Sequence, residues 1–374
     1  MKKNNKILFF VTEDWYFISH RIKLAEHLIK KGFQVSVCCK DTGKASLIQS
    51  KGINFYNIDI KRKSISFFQF FFEVIAYIKL AKKVKPDIIH FISMRPIITG
   101  LLASLIIKSK FCATFTGMGF LFIRKGLVGF FLKLVIINFI KFSLLFKKIK
   151  IIVQNEDDLV FFQNKLKNRK FDIIKIRGSG INLSYYKKLK EPEEKNIKIL
   201  YVGRLLEDKG VLWLIESFKK AKYIYKNIEL YIAGSLDEKN PTGISKKKLN
   251  TFLKIKGIRY FGNVEDVRKL WSKSNIAILL SKREGLPLSL MEAAAVGRAI
   301  IATNVPGCRE IAIHKYNSIT VEPGDIYATR DAILKLSRNK KIRRHYAANS
   351  RKLVESDMSL VNICEQYYKL YNSL

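Results

Sequence analysis

Two cations and two carboxylates in the second half of the chain have the types and spacing that suit chemistry on a phosphorylated substrate. Glu284 and Glu292 stand eight positions apart in Ser281–Gly297, SKREGLPLSLMEAAAVG, and Arg204 and Lys209 stand in GRLLEDKG. The apolar run Ile276–Leu280 reads as a buried strand. Glu284-Gly285 reads as a loop, and Pro287-Leu288 as the start of a short helix carrying Glu292, since proline suits a first helical turn. A helix N-terminus has free N–H groups and partial positive charge, which suits an anion such as phosphate. Gly285 lets backbone approach a ligand closely. Arg204 and Lys209 follow a second strand end, so two cations and one helix N-terminus together suit a diphosphate. Glu292 is then available to a ribose and Glu284 to a sugar hydroxyl. The plain alternative is a strand-to-helix turn whose acidic residue is favoured by the helix dipole.

The elements that must hold these groups alternate strand and helix. In the first half, strands are expected over Lys6–Val11, Phe33–Cys39 and residues 53–60, 88–92, 111–115, 150–154 and 172–176. Helices are expected over His20–Lys30, 44–50, the Phe-rich SISFFQFFFEVIAYIKLAKK, about 97–107, Leu127–Phe146, and from Glu156. Thr12–Tyr16 reads as a loop, and no Gly-rich phosphate loop follows the first strand. This order calls for a parallel sheet with helices on both faces. Glu191–Asn196 is charged, contains Pro192 and reads as an interdomain linker, which gives domains of 1–190 and 191–357. The alternation then restarts with strands at Lys198–Gly203, Ile228–Gly234, 258–261, 276–280 and 299–302. Helices are expected near 211–221, 246–256, from Asn263, 325–338, 341–350 and 358–372.

At 374 residues the chain is long enough for two cores, and 48% apolar content argues against disorder. A net charge of +38 calls for an anionic partner: nucleic acid, an anionic membrane surface or a phosphorylated substrate. Nothing resembles a nucleic-acid-binding motif, and the aromatics stand in apolar runs rather than in stacking positions, which argues against a specific nucleic acid. The five cysteines form no C-x-x-C pair and no metal-ligand spacing with the five histidines, and a reducing, cytosolic setting fits them. Ile7–Val11 is too short for a signal-peptide core. Leu127–Phe146 is long enough by count to span a bilayer. Its Lys133, Asn138 and Lys141, with Lys148, fall within an arc of roughly 140°. That pattern suits a helix packed on a sheet or lying in a membrane interface. Phe67, Phe68, Phe70, Phe71 and Phe72 cannot all face one helical side, so some exposure is expected.

Gly-Arg-x4-Lys-Gly followed by Glu-Gly-x6-Glu resembles the retaining nucleotide-sugar glycosyltransferases of family GT4, of the GT-B fold. EDWYFISHR, QNEDD, GSGIN, VPGCRE and the Gly-Asp that follows are similar to a bacterial subgroup that extends oligosaccharides on undecaprenyl diphosphate. The resemblance implies an α/β architecture of two Rossmann-like parallel-sheet domains facing a central cleft. The first would face acceptor and membrane, the second would bind the donor, and the last helix, 358–374, would return to the first. It implies a retaining hexosyltransferase that moves a hexose or N-acetylhexosamine from a nucleotide sugar, UDP favoured over GDP. The acceptor would be a lipid-linked sugar or glycan intermediate of cell-surface polysaccharide synthesis. No metal and no other cofactor is implied, which agrees with the lack of an Asp-x-Asp pair. By resemblance, Arg204, Lys209 and Glu284 act in catalysis, and Arg204, Lys209, Val264, Gly285, Leu286, Pro287 and Glu292 bind the donor. His20, His90, Arg95 and Thr116 are candidates for the acceptor, with Thr116 standing where many members have a histidine. The basic, Phe-rich helices would meet the anionic inner leaflet, placing the enzyme peripherally on the cytoplasmic face of the inner membrane. UDP-sugar 2-epimerases share the architecture and are the alternative.

Overall fold

The computed structural model describes residues 5–59, 67–117, 127–166 and 172–374. Its strands are β1 (Lys6–Glu13), β2 (Gln34–Lys40), β3 (Asn54–Asn57), β4 (Ile88–Ile92), β5 (Lys110–Phe115), β6 (Ile149–Val153), β7 (Ile173–Lys175), β8 (Ile197–Val202), β9 (Ile228–Ala233), β10 (Ile258–Tyr260), β11 (Ile276–Leu279), β12 (Ala299–Thr303) and β13 (Ser318–Val321). Its α-helices are α1 (Asp14–His20), α2 (Ile22–Lys30), α3 (Ala45–Gln49), α4 (Phe67–Val84), α5 (Met94–Ser104), α6 (Leu127–Phe146), α7 (Glu156–Lys165), α8 (Val211–Ile224), α9 (Lys246–Leu253), α10 (Arg268–Trp271), α11 (Leu288–Ala295), α12 (Ile326–Arg338), α13 (Lys340–Asp357) and α14 (Leu360–Asn372).

Two parallel sheets result, ordered β3-β2-β1-β4-β5-β6-β7 and β10-β9-β8-β11-β12-β13. The chain divides into residues 1–179 with 360–374, and residues 180–359. This division falls ahead of the charged segment at 191–196. The reason lies in residues 189–190, whose carbonyls accept from the buried Arg298 guanidinium at 3.1 and 3.2 Å. Those bonds tie the stretch to the second unit.

Parallel strands covered on both faces read as continuous apolar runs, and every residue of β4, IIHFI, and of β12, AIIAT, is buried. Side chains of β1 alternate between two cores. Leu8 and Phe10 join Tyr77 of α4, Ile97 of α5 and Ile140 of α6. Ile7, Phe9 and Val11 join Leu28 of α2 and Tyr367 and Tyr371 of α14. The last helix therefore completes the core of the first unit.

Two expectations need correction. Thr12–Tyr16 is no loop: β1 runs to Glu13 and α1 starts at Asp14. The Asp14 carboxylate, fully buried, accepts from the Trp15, Thr42 and Lys44 amides and from the Thr42 hydroxyl, and so ties α1 to the turn after β2. The helix expected from His20 then begins at Ile22, after a break at Arg21. Strand β13 was not expected at all, because SITV is a short edge strand flanked by polar turns.

Among the described residues no helix is long and apolar enough to cross a membrane. Helix α6 buries Ile136, Ile140 and Ser143 on one side while Asn138, Phe142, Leu145 and Phe146 face outward. On α4, Phe68, Phe71 and Phe72 are exposed. The Lys61-Arg62-Lys63 cluster and the side chains of Phe67 and Lys133 lie outside what is described.

Candidate active site

The order of the second sheet reverses between β8 and β11, which pair directly through Ile199 and Ile276. Ligands of open α/β sheets bind beyond the carboxyl ends of strands at such a reversal. GRLLEDKG leaves β8 at this place and SKREGLP leaves β11. Lys209 ends a 3-10 turn, Glu207–Lys209, and Gly210 follows at φ 74°. A Cβ on Gly210 would lie 2.0 Å from the Leu280 carbonyl oxygen, so only glycine lets the Lys209 turn pack so closely on the end of β11.

That approach brings Lys209 Nζ to 2.5 Å from Glu284 Oε1, an oxygen that also accepts from Ser281 Oγ at 2.5 Å. The Glu284 loop is fixed from below. Its amide donates to the Pro306 carbonyl at 3.1 Å, and Thr303 Oγ1 donates to the Ser281 carbonyl at 2.5 Å. Gly307, at φ 80°, allows the Val305–Gly307 turn to press on it, since a Cβ there would lie 2.6 Å from the Glu284 carbonyl oxygen. Arg204 pairs through Nη1 with Asp237 Oδ2 at 3.0 Å. Asp237 is delivered by the loop after β9, which bonds back to the Arg204 segment through Leu205 N to Ser235 O and Ile244 N to Leu205 O, both 3.0 Å.

Pro287 is the N-cap of α11, not its first helical residue, and its own side chain makes no capping bond. Leu286 and Val264 are partly buried against the second core. Gly285 stands in the loop between Glu284 and the helix. Glu292 lies one turn into α11 and is 7% exposed. Tyr186 donates to its Oε1 at 2.8 Å and Trp271 Nε1 donates to its Oε2 at 3.4 Å. Burial pushes the Glu292 carboxyl up to about 7, against the pull of these two donors. The second unit thus gathers Arg204, Lys209, Glu284, the α11 N-terminus and Glu292 around strand ends β8 and β11.

The four candidates in the first unit fare differently. His90 stands in the middle of β4 and is fully buried. Its Nδ1 lies 2.7 Å from the Tyr371 hydroxyl and its Nε2 2.6 Å from Thr114 Oγ1, so both ring nitrogens are occupied inside the core. Burial, then the nearby Arg21 charge, holds it neutral with a pKa well below the usual range. Arg95 grips Glu73 in two bonds, Nε–Oε2 at 2.9 Å and Nη2–Oε1 at 3.0 Å, and so joins α4 to α5. His20 ends α1, stacks on Tyr16 at 4.4 Å, and is lowered to about 4 by burial and then Arg21. Thr116 lies just past β5, its Oγ1 3.4 Å from Ser93 Oγ at the end of β4. The Tyr16 hydroxyl faces Thr116 and Ser93, so His20 and Thr116 share Tyr16 as a neighbour. Sequence reasoning missed Tyr186, Trp271 and Asp237. Each reaches the site from a distant stretch, and only Asp237, in a polar loop after a strand, had a signal to notice. Among the described residues no group of three or more His, Cys, Asp or Glu side chains is arranged to hold a metal ion.

Residues 185–353 match the family described as glycosyl transferases group 1, and residues 6–156 that described as glycosyl transferase 4-like. The chain is 29% identical over 203 residues to the capsular polysaccharide biosynthesis glycosyltransferase CapM of Staphylococcus aureus. That match covers 54% of this chain and 52% of CapM, so the chain spans about half the length of that relative. It is 28% identical over 309 residues to the N,N'-diacetylbacillosaminyl-diphospho-undecaprenol alpha-1,3-N-acetylgalactosaminyltransferase of Campylobacter jejuni, with 79% of each chain covered. The solved structure of HepE from Anabaena, in complex with UDP and glucose, superposes with a TM-score of 0.78 over 99% of this chain and 100% of that one, at 15% identity. That likeness shows the fold, which is GT-B. With matched families over both sheets and the cations, carboxylates and helix N-terminus collected at the second sheet's reversal, the chain belongs to the group 1 glycosyltransferases, of the GT4 type.

Proposed function

We propose that the enzyme transfers a hexose or N-acetylhexosamine, with retention, from a UDP-sugar to a lipid-linked sugar of cell-surface polysaccharide synthesis. The observation that carries this is the meeting of Lys209, Arg204 and the α11 N-terminus at the ends of β8 and β11, with Glu284 within 2.5 Å of Lys209. As the sugar–phosphate bond loosens toward an oxocarbenium-like state, negative charge grows on the departing diphosphate. Fixed donors and cations stabilise that charge most where it develops. Glu284 holds the donor sugar through its hydroxyls, and Glu292 accepts from the ribose. The acceptor hydroxyl attacks from the face that the diphosphate leaves, and its proton passes to the departing phosphate oxygen. Support for a lipid-linked acceptor comes from the Campylobacter relative, whose name specifies a diphospho-undecaprenol substrate. No metal or further cofactor enters this reading, and no nucleic acid does.

The first unit supplies a seat on an anionic membrane surface. Phe68 is 78% exposed, Phe72 69% and Phe146 60%, on helices that share one face of the first sheet. Lys79, Lys82, Lys83 and Lys148 are exposed on or beside the same helices. Each cation near an anionic leaflet contributes about 1 kcal/mol, and the Phe rings can insert between lipids. On this reading the enzyme works at the cytoplasmic face of the inner membrane, where such acceptors are extended.

The test is a melting-temperature screen against UDP, GDP, AMP and UDP-sugars with and without Mg²⁺, followed by transfer assays on a sugar diphosphate lipid. Binding to the folded state raises the melting temperature by mass action. The expected result is stabilisation by UDP-linked ligands without metal, lost in Glu292→Ala, and an α-linked product from an α-linked donor. Conversion of a UDP-sugar to its epimer without acceptor would instead establish the epimerase reading.

A further inference from the structure

We propose that Tyr186 is a positioning residue for the donor nucleotide: its hydroxyl holds the Glu292 carboxylate in the orientation and the ionised form that accept from a ribose hydroxyl. The inference rests on the reading of Glu292 given above and adds a residue that neither the motif spacing nor the helix containing Glu292 supplies.

The geometry that sets this contact comes from three places. Asn182 Oδ1 accepts from the amides of Ser184 and Tyr185 at 3.1 and 3.2 Å, and its carbonyl accepts from the Tyr186 amide at 2.8 Å, which fixes the turn before Tyr186. Arg351 Nη1, from α13, donates to the Tyr186 carbonyl at 2.8 Å and to the Ala295 carbonyl at 2.6 Å. One guanidinium nitrogen therefore ties Tyr186 to the last turn of α11, the helix that carries Glu292. On the other side, the Arg268 guanidinium lies 3.6 Å over the Tyr185 ring and is gripped by Asp266 through two bonds of 2.7 Å. Both flanks of the tyrosine pair are thus fixed, and the phenol meets Glu292 Oε1 at 2.8 Å.

The two side-chain contacts favour the charged form against the burial that opposes it. Indole N–H donates only, and the Tyr186 phenol keeps its proton because burial and then Glu292 itself push its pKa up. A protonated Glu292 could give its O–H to the Tyr186 oxygen but not to the Trp271 N–H; the carboxylate accepts from both and retains lone pairs for ribose. Of the surrounding charges, Asp266 disfavours the carboxylate. Arg343 of α13 is engaged with Glu191 and the carbonyls of residues 336 and 337, and Arg351 with backbone carbonyls and Glu355. Tyr346 is the remaining titratable group buried on that helix, and strands β11 and β12 contribute none. Burial and Asp266 thus oppose ionisation, and the Tyr186 hydroxyl and Trp271 indole favour it.

The experiment measures UDP-glucose binding by calorimetry from pH 6 to 8.5 for the intact protein and for Tyr186→Phe and Glu292→Gln, with melting temperatures as a check on folding. The diphosphate diester of this probe keeps a constant charge over that range. Wild-type affinity is expected to rise as pH passes about 7. Tyr186→Phe should bind about tenfold more weakly at pH 7 and recover toward wild type at pH 8.5, where Glu292 ionises without help. Glu292→Gln should bind weakly at every pH. A Tyr186→Phe profile that matches wild type, or a loss that stays constant with pH, overturns the positioning role. Absent binding to wild type, or a Glu292→Gln variant that binds as wild type does, overturns instead the reading of Glu292 on which it rests.

Discussion

Both sheets reverse strand order beside their first strand, at β1–β4 and at β8–β11, yet the two reversals are furnished with opposite chemistry. At the second, the cations come with carboxylate partners at the surface: Arg204 with Asp237, Lys209 with Glu284 and Lys282 with Asp208. All are partly open to solvent, Glu284 least at 11%, which suits exchange of a carboxylate for the diphosphate proposed above. At the first, Arg21 is 1% exposed and has no carboxylate partner among the described residues; its Nη1 donates to the Tyr367 hydroxyl at 3.1 Å, and its neighbours His20 and His90 are held neutral. At its reversal the first unit keeps Arg21 and His90 inside, and it leaves Phe68, Phe71 and Phe72 of α4 exposed. The second region suits exchange of the proposed anionic ligand with water, and the exposed rings of the first suit the proposed seat on a partly apolar surface.

Removing Arg95 strands the Glu73 carboxylate, which is 3% exposed, and should cost about 3 kcal/mol in a denaturant titration. UDP binding by the second unit should be untouched, and a loss of binding would tie the two regions more closely than supposed. Lys209→Ala should lower the transfer rate about a hundredfold, the scale of one transition-state charge contact, with little change in acceptor KM. A third test uses pH. Glu292 has its carboxyl raised to about 7, so between its ordinary value and 7 the folded enzyme holds a proton that the unfolded chain has lost. That contribution is full at low pH and disappears as pH rises through 7. Melting curves should therefore show Glu292→Gln gaining on wild type at pH 8 relative to pH 5. The smallest effect is expected from Phe68→Ser with Phe72→Ser. Stability should stay within about 0.5 kcal/mol, while cosedimentation with anionic vesicles falls; unchanged sedimentation would remove the membrane seat.

Most of the strand and helix order was legible in the sequence because buried parallel strands are written as apolar runs and helices as periodic ones. Strand β13 escaped because SITV has neither signature strongly. The stretch EDWYFISH escaped because what makes it helical is the Asp14 carboxylate bonding a turn at Thr42 and Lys44. Within the site, Arg204, Lys209, Glu284 and Glu292 were legible as motifs on strand and helix ends. Their partners were not: Tyr186 and Trp271 reach Glu292 from other parts of the second unit, and no local pattern encodes such a meeting. His90 illustrates the converse. Its type suggested chemistry, but Thr114 and Tyr371 occupy both nitrogens.

Helix α14 has a bearing on how the protein is made. Tyr367 supplies the hydroxyl that meets buried Arg21, and Tyr371 the one that meets buried His90. Until residues 360–374 have left the ribosome, the face of the first sheet that α14 covers has neither its apolar lid nor these two partners. Domains usually fold in order of synthesis; here residues 180–359 carry all of their own core and can settle first, while the earlier-made unit waits on the last helix. A nascent chain arrested before residue 360 should accordingly remain protease-sensitive in its first half and resistant in its second.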